Sequence, residues 1–223
     1  MDRRSPIKPV LVRGAGIAGI LAGTALVIGQ LLFWYVVPDS GIERNEQEPL
    51  VLATGIIWLI AHGLLVPFVG GLYALIYRRV GVFGGSGAVL AVLGTIGLCM
   101  YAFFLFPELV GFRPDTVQEG RIALALQATG ELGAASVLIG LFILAFTMLV
   151  TRVFAPVAAS LTVVGAVVAP FGVDNAVWLV IGSCLMGAGV VWMGLLLVAG
   201  RLPSTGRSRP VWPRPAGQRQ FRF

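Results

Sequence analysis

Apolar residues gather into six long runs along this chain, separated by short breaks that hold most of its polar side chains and several prolines. A helix that spans a bilayer needs about 20 mostly apolar residues. The six runs meet that length and predict spans at 15–37, 50–77, 80–106, 122–150, 153–171 and 176–200. The breaks have turn chemistry. Pro38 and Pro107 follow the first and third runs, where a residue without an N–H can end a helix. Asp39, Ser40 and Gly41 form one turn, and Asp174 and Asn175 another. Only Thr151 and Arg152 separate the fourth run from the fifth, and the two together are far too long for a single crossing. The expected fold is therefore an all-α integral membrane protein, a six-span transmembrane helix bundle over residues 15–200. A short segment, 1–14, precedes it and a basic Pro/Arg-rich tail, 201–223, follows.

The basic residues orient this bundle, because cytoplasmic loops carry an excess of Lys and Arg. With the N-terminus inside, the cytoplasmic segments hold Arg3, Arg4, Lys8 and Arg13, then Arg78 and Arg79, then Arg152. The tail adds Arg201, Arg207, Arg209, Arg214, Arg219 and Arg222, so that 13 of the 16 basic residues lie inside. Only Arg44, Arg113 and Arg121 fall in outer loops. Both termini are thus expected in the cytoplasm of a cell protein inserted in the plasma or inner membrane. The first run is longer than the apolar stretch of a signal peptide and ends in Phe33, Trp34 and Tyr35 rather than in small residues. It reads as an uncleaved span whose Trp34 and Tyr35 suit the outer interface.

Composition agrees. Hydrophobic residues make up 57% of the chain and charged residues 12%, against about a quarter charged in a soluble domain. Mean hydropathy is +0.92. A net charge of +6 could suggest nucleic acid, but the charge lies between apolar runs, where orientation explains it. No nucleic-acid partner is expected. The tail is expected to rest on anionic lipid, at about 1 kcal/mol per basic residue near the surface. The two cysteines, Cys99 and Cys184, lie inside apolar runs and read as buried thiols, with a disulfide between them left open.

Two motifs resemble enzyme signatures and lack their context. Gly14, Gly16 and Gly19 match G-x-G-x-x-G, but no strand precedes them and the segment runs straight into a span. Gly19 and Gly23 read better as a G-x-x-x-G packing face. Gly84 to Gly87 reads GGSG, which resembles the serine motif of rhomboid intramembrane proteases. In that family the base is a histidine on a later helix, whereas the single histidine here, His62, comes earlier. One histidine also excludes a bis-histidine haem within one chain, and a haem held by His62 and Met100 has no further support. No metal spacing is present, and no cofactor is expected.

One polar site remains. Ionisable residues within spans are costly and tend to be paired or functional. His62 lies in the second run and Glu131 in the fourth, and both runs descend from the outer side. At about 1.5 Å per residue their depths differ by only a few ångströms, so neighbouring helices could bring them into a hydrogen bond. Gln127 is one turn before Glu131, with Ala128, Ala134 and Ala135 on that side of the helix and Leu124 and Leu138 above and below. Gln30 lies in the same outer half, and Pro67 can bend the second span. His62, Glu131, Gln127 and Gln30 are the candidate ligand or proton site; a simple interhelical contact is the competing reading.

Three functions are open. A non-enzymatic membrane component, either a subunit of a complex with a membrane-protein partner or a homo-oligomer, fits the glycine-rich faces. A small proton-coupled transporter or ligand-binding protein would use the polar cluster. A membrane enzyme has the least behind it, because it needs more acid/base or metal groups than the chain offers.

Overall fold

The computed structural model describes residues 9–36, 49–105, 117–173 and 176–200. All of its elements are helical: α1 (Pro9–Val36), α2 (Pro49–Leu105), α3 (Val117–Thr151), α4 (Pro156–Val168) and α5 (Ala176–Val198), with a 3₁₀ segment, Ala169–Val173, continuing α4. No strand occurs among the described residues. In a lipid interior only a helix or a closed barrel satisfies every backbone N–H and C=O, and these sequences, apolar on all sides, can bury each face in protein or lipid.

Side-chain size, rather than polarity, divides the inner face from the outer. In α1 the buried positions are Ala15, Ala18, Ala22 and Leu26, whereas Ile17, Leu21 and Ile28 point outward. Val89, Leu93 and Ile96 of α2 and Leu132 and Ile139 of α3 are likewise exposed. A water-soluble bundle would cover that surface with charge; an apolar belt of this extent suits lipid. Four helices are long and apolar enough to cross a membrane, with apolar cores at Val10–Leu32, Leu52–Ala102, Gln127–Thr151 and Val177–Val198.

The helical segment α2 covers 57 residues but is not one rod. Gly81 has φ 59° and ψ −155°, a backbone conformation that only glycine adopts readily. A Cβ built on Gly85 would meet the Tyr73 hydroxyl at 2.7 Å, yet twelve helical residues would separate the two by roughly 18 Å along a straight axis. The chain therefore turns back on itself at Gly81, and residues 49–80 and 82–105 form two arms of a helical hairpin. A second reversal follows α3, where Arg152 takes φ 50° and Pro156 opens α4.

Glycines set the distances between neighbouring helices. Gly16 of α1 abuts the Gly194 carbonyl of α5, and Gly23 abuts the Gly187 carbonyl. The pairs run in opposite order, so α1 and α5 are antiparallel neighbours, with the start of α1 and the end of α5 on one side of the bundle. Gly87 and Gly94 of the second α2 arm meet Gly140 and Gly133 of α3 in the same way. Gly165 of α4 meets Gly182 of α5. Three helix pairs are thus antiparallel and held close at small residues, several of them seven apart. Small residues allow the close backbone approach on which packing in lipid depends.

Several boundaries depart from expectation. The helix α1 begins at Pro9, before the apolar run, and α3 begins at Val117, inside the segment read as an outer loop. The fifth predicted span, 153–171, is corrected. Val153 and Phe154 are buried in the junction, and regular α-helix occupies only Pro156–Val168 before tightening to 3₁₀. The left-handed Arg152 and the fixed φ of Pro156 place that start. Gly19 and Gly23 do not share one partner: Gly19 faces Phe68 of α2, and Gly23 faces α5. Cys99 and Cys184 are free and half-buried, so no disulfide joins them. The tail 201–223, the turn at Asp174 and Asn175 and most of both outer loops lie outside the described residues.

Candidate functional site

A cavity of about 260 Å³ opens where α1, both arms of α2, α3 and α5 converge. Its walls are mostly apolar, including Leu26, Leu65, Leu98, Val137 and Met186. Gly130 and Ala134 line the α3 side, and the Tyr101 ring packs directly on Gly130. Four hydrogen-bonding side chains border this space from four elements: Gln30 of α1, His62 of the first α2 arm, Glu131 of α3 and Ser183 of α5. The rings of Trp58 and Tyr101 complete the polar part of the wall.

The helical register explains the His62 geometry. Trp58 lies one turn before it, and Nδ1 of His62 is 2.7 Å from the Trp58 carbonyl oxygen. A carbonyl can only accept, so Nδ1 carries the proton and donates. In the neutral ring Nε2 is then an acceptor. The Trp58 ring tilts against the imidazole, with centroids 4.4 Å apart and planes at 59°. This contact and the hydrogen bond hold the ring at the cavity wall, where His62 is only 4% exposed.

Gln30 and Ser183 differ from five threonines of the bundle. Thr95, Thr129, Thr147, Thr151 and Thr162 each turn their hydroxyl onto the carbonyl one turn back. Gln30 and Ser183 are 8% and 7% exposed, respectively. Neither makes such a bond among the described residues, and both border the cavity. Buried polar groups ordinarily have a partner, and the cavity is a space that can supply one.

Glu131 lies at the cavity's edge. It is exposed on its outer side, and Oε1 accepts a hydrogen bond of 3.2 Å from Nε2 of Gln127. The structure thus brings Gln30, His62 and Glu131 to one cavity and leaves Gln127 outside the wall, attached through Glu131. His62 and Glu131 are not hydrogen-bonded to each other; their bonds go to Trp58 and Gln127. The side of α3 that faces the cavity matches the expected one only in part, at Glu131, Ala134 and Leu138. Leu124, Ala128 and Ala135 are exposed, whereas Gly130, Ala134, Val137 and Leu138 line the space. The helix is rotated so that Gln127 and Glu131 lie at its border. Ser183 and Tyr101 escaped the sequence reading. A lone serine in an apolar run is common, and only its place on the cavity wall distinguishes this one.

The remaining motifs take structural roles. Gly14, Gly16 and Gly19 lie within continuous helix, with no loop to hold a phosphate. Ser86 is exposed beside the hairpin turn and donates to the Phe83 carbonyl at 2.7 Å. Met100 is 46% exposed and does not line the cavity that His62 borders. No protein-family model, no curated protein and no solved structure matches this chain.

Proposed function

We propose that the chain is a non-enzymatic membrane protein that binds a small polar ligand in this cavity. The observation that carries the reading is the set of three buried polar side chains, Gln30, His62 and Ser183, that border one cavity from three different elements. A purely structural polar contact would close such groups onto each other, as the threonines close onto their own helices. The glycine faces that favoured a subunit role are largely consumed within the chain itself, at Gly16, Gly23, Gly87, Gly94 and Gly165. That shifts the balance toward ligand binding and away from a passive accessory subunit.

The membrane setting of this reading is six crossings, both termini cytoplasmic, in the cell membrane. Support comes from the α2 hairpin, whose two arms are each long enough to cross, and from the antiparallel pairing of α1 with α5, which needs an even number of crossings. The apolar helix Pro156–Gly172 is shorter than the others, at the lower end of the roughly 17–25 residues that suffice. The distribution of Arg and Lys gives the direction. In this orientation the cavity lies in the outer half of the bundle.

Two experiments test these statements. On a Cys99→Ser, Cys184→Ser background, Ser40→Cys and Thr116→Cys are expected to react with an impermeant maleimide on intact cells, and Ser204→Cys only after lysis. Labelling of Ser204→Cys on intact cells defeats the topology. Native mass spectrometry of the protein in mild detergent is expected to find a small-molecule adduct that Gln30→Leu and His62→Leu each lose. A wild-type protein without adduct, or variants that keep it, defeats ligand binding.

A further inference from the structure

We infer that the ligand is a small organic ammonium ion, held by the Glu131 carboxylate at the edge of the cavity and by acceptors along its wall. This deepens the ligand-binding reading and rests on it. The wall offers acceptors for the N–H groups of such a ligand. The Nδ1 proton of His62 is committed to the Trp58 carbonyl, so the neutral ring can only accept, through Nε2. Oε1 of Glu131 takes the Gln127 amide, which orients the carboxylate and leaves Oε2 to accept. Gln30 and Ser183 each offer an acceptor oxygen as well as donors, and the Trp58 indole N–H and the Tyr101 hydroxyl belong to the same wall.

Charge favours the same ligand. Among the described residues, the cavity wall holds one carboxylate and no Lys or Arg. An anionic ligand would meet Glu131 without a compensating cation, whereas an ammonium group supplies both the charge and the N–H donors. The Trp58 and Tyr101 rings border the same space, and aromatic rings attract cations through their quadrupole. The apolar remainder of the wall suits a hydrocarbon or aryl body. A cavity of about 260 Å³ limits that body to a small one.

The full chain in lipid nanodiscs, titrated by calorimetry with benzylammonium, benzyl alcohol and benzoate, tests the assignment. Benzylammonium is expected to bind saturably and at least about tenfold more tightly than benzyl alcohol, the scale of one charge-assisted hydrogen bond; benzoate is expected not to bind. Glu131→Gln removes the charge at an exposed position and should weaken benzylammonium by about tenfold to a hundredfold, and benzyl alcohol by much less. Glu131→Asp should restore part of the preference. If both neutral and cationic probes bind equally and Glu131→Gln changes neither, the ammonium assignment is wrong while the cavity remains a ligand site. If no probe binds, and Ala134→Leu, which narrows the cavity, changes nothing in the wild-type adduct spectrum, ligand binding itself is wrong.

Discussion

Several helix pairs approach each other closely at glycine, and Gly94 offers the cleanest way to measure what that proximity contributes. A methyl group at Gly94 would lie 2.5 Å from the Gly133 carbonyl oxygen and 2.5 Å from the Val137 nitrogen, both backbone atoms of α3. That is roughly an ångström short of the 3.4 Å where ordinary contact begins, and a backbone atom cannot rotate away as a side chain can. Either α3 moves back along its length or the contact stays compressed; overpacking of this kind costs about 1–3 kcal/mol. Gly70, on the first α2 arm, is the control, because a Cβ there would meet nothing within 4 Å. Both glycines lie in helix, so Gly→Ala brings the same propensity gain, about 1 kcal/mol, at each. The difference between Gly94→Ala and Gly70→Ala therefore isolates the packing term. The two variants should differ by about 1–3 kcal/mol, with Gly94→Ala melting lower by about 2–4 °C per kcal/mol for a chain of this length. Cys99 and Cys184 are free and half-buried, so a thiol-reactive dye that fluoresces on labelling can report the melt in detergent. Equal midpoints for the two variants would refute the claim that glycine proximity holds the second α2 arm against α3.

Three further outcomes follow from backbone and cavity. Gly81→Ala places a side chain at φ 59° and ψ −155°, a conformation that costs about 1–3 kcal/mol for other residues; the same dye melt should register that loss. Arg152→Gly relieves a left-handed residue at φ 50° and should raise the melting temperature, by an amount equivalent to up to about 1 kcal/mol. Ser183→Ala removes a buried hydroxyl that makes no hydrogen bond to another side chain or carbonyl among the described residues. It should leave the empty protein as stable or more stable by about 1 kcal/mol, while benzylammonium titration shows weaker binding.

Much of the architecture is written in local sequence. Backbone polar groups in lipid must be satisfied within each segment, so the length of an apolar run translates directly into helix. That is why the apolar runs mark the helices and why the break between the second and third runs matches the reversal at Gly81. Boundaries were less legible. Helix α3 extends back to Val117 because a helix can continue past the apolar edge, and α4 starts late because Arg152 and Pro156 decide the turn.

The site divides along the same line. His62, Glu131 and Gln30 could be picked out from sequence because a polar side chain within an apolar run is conspicuous, and matched depth follows from counting residues. Which of them share a wall depends on helix rotation and on which helices are neighbours. Both are set by backbone contacts between residues far apart in the chain, such as Gly94 with Gly133 and Gly16 with Gly194. Those contacts turn Gln127 out of the cavity, bring Ser183 and Tyr101 to it, and give His62 and Glu131 separate hydrogen-bond partners. Sequence determined that the chain is a bundle of lipid-suited helices with a few polar side chains inside. Only the tertiary packing decided that they surround one open space, because a cavity belongs to the gaps between helices and to no single one of them.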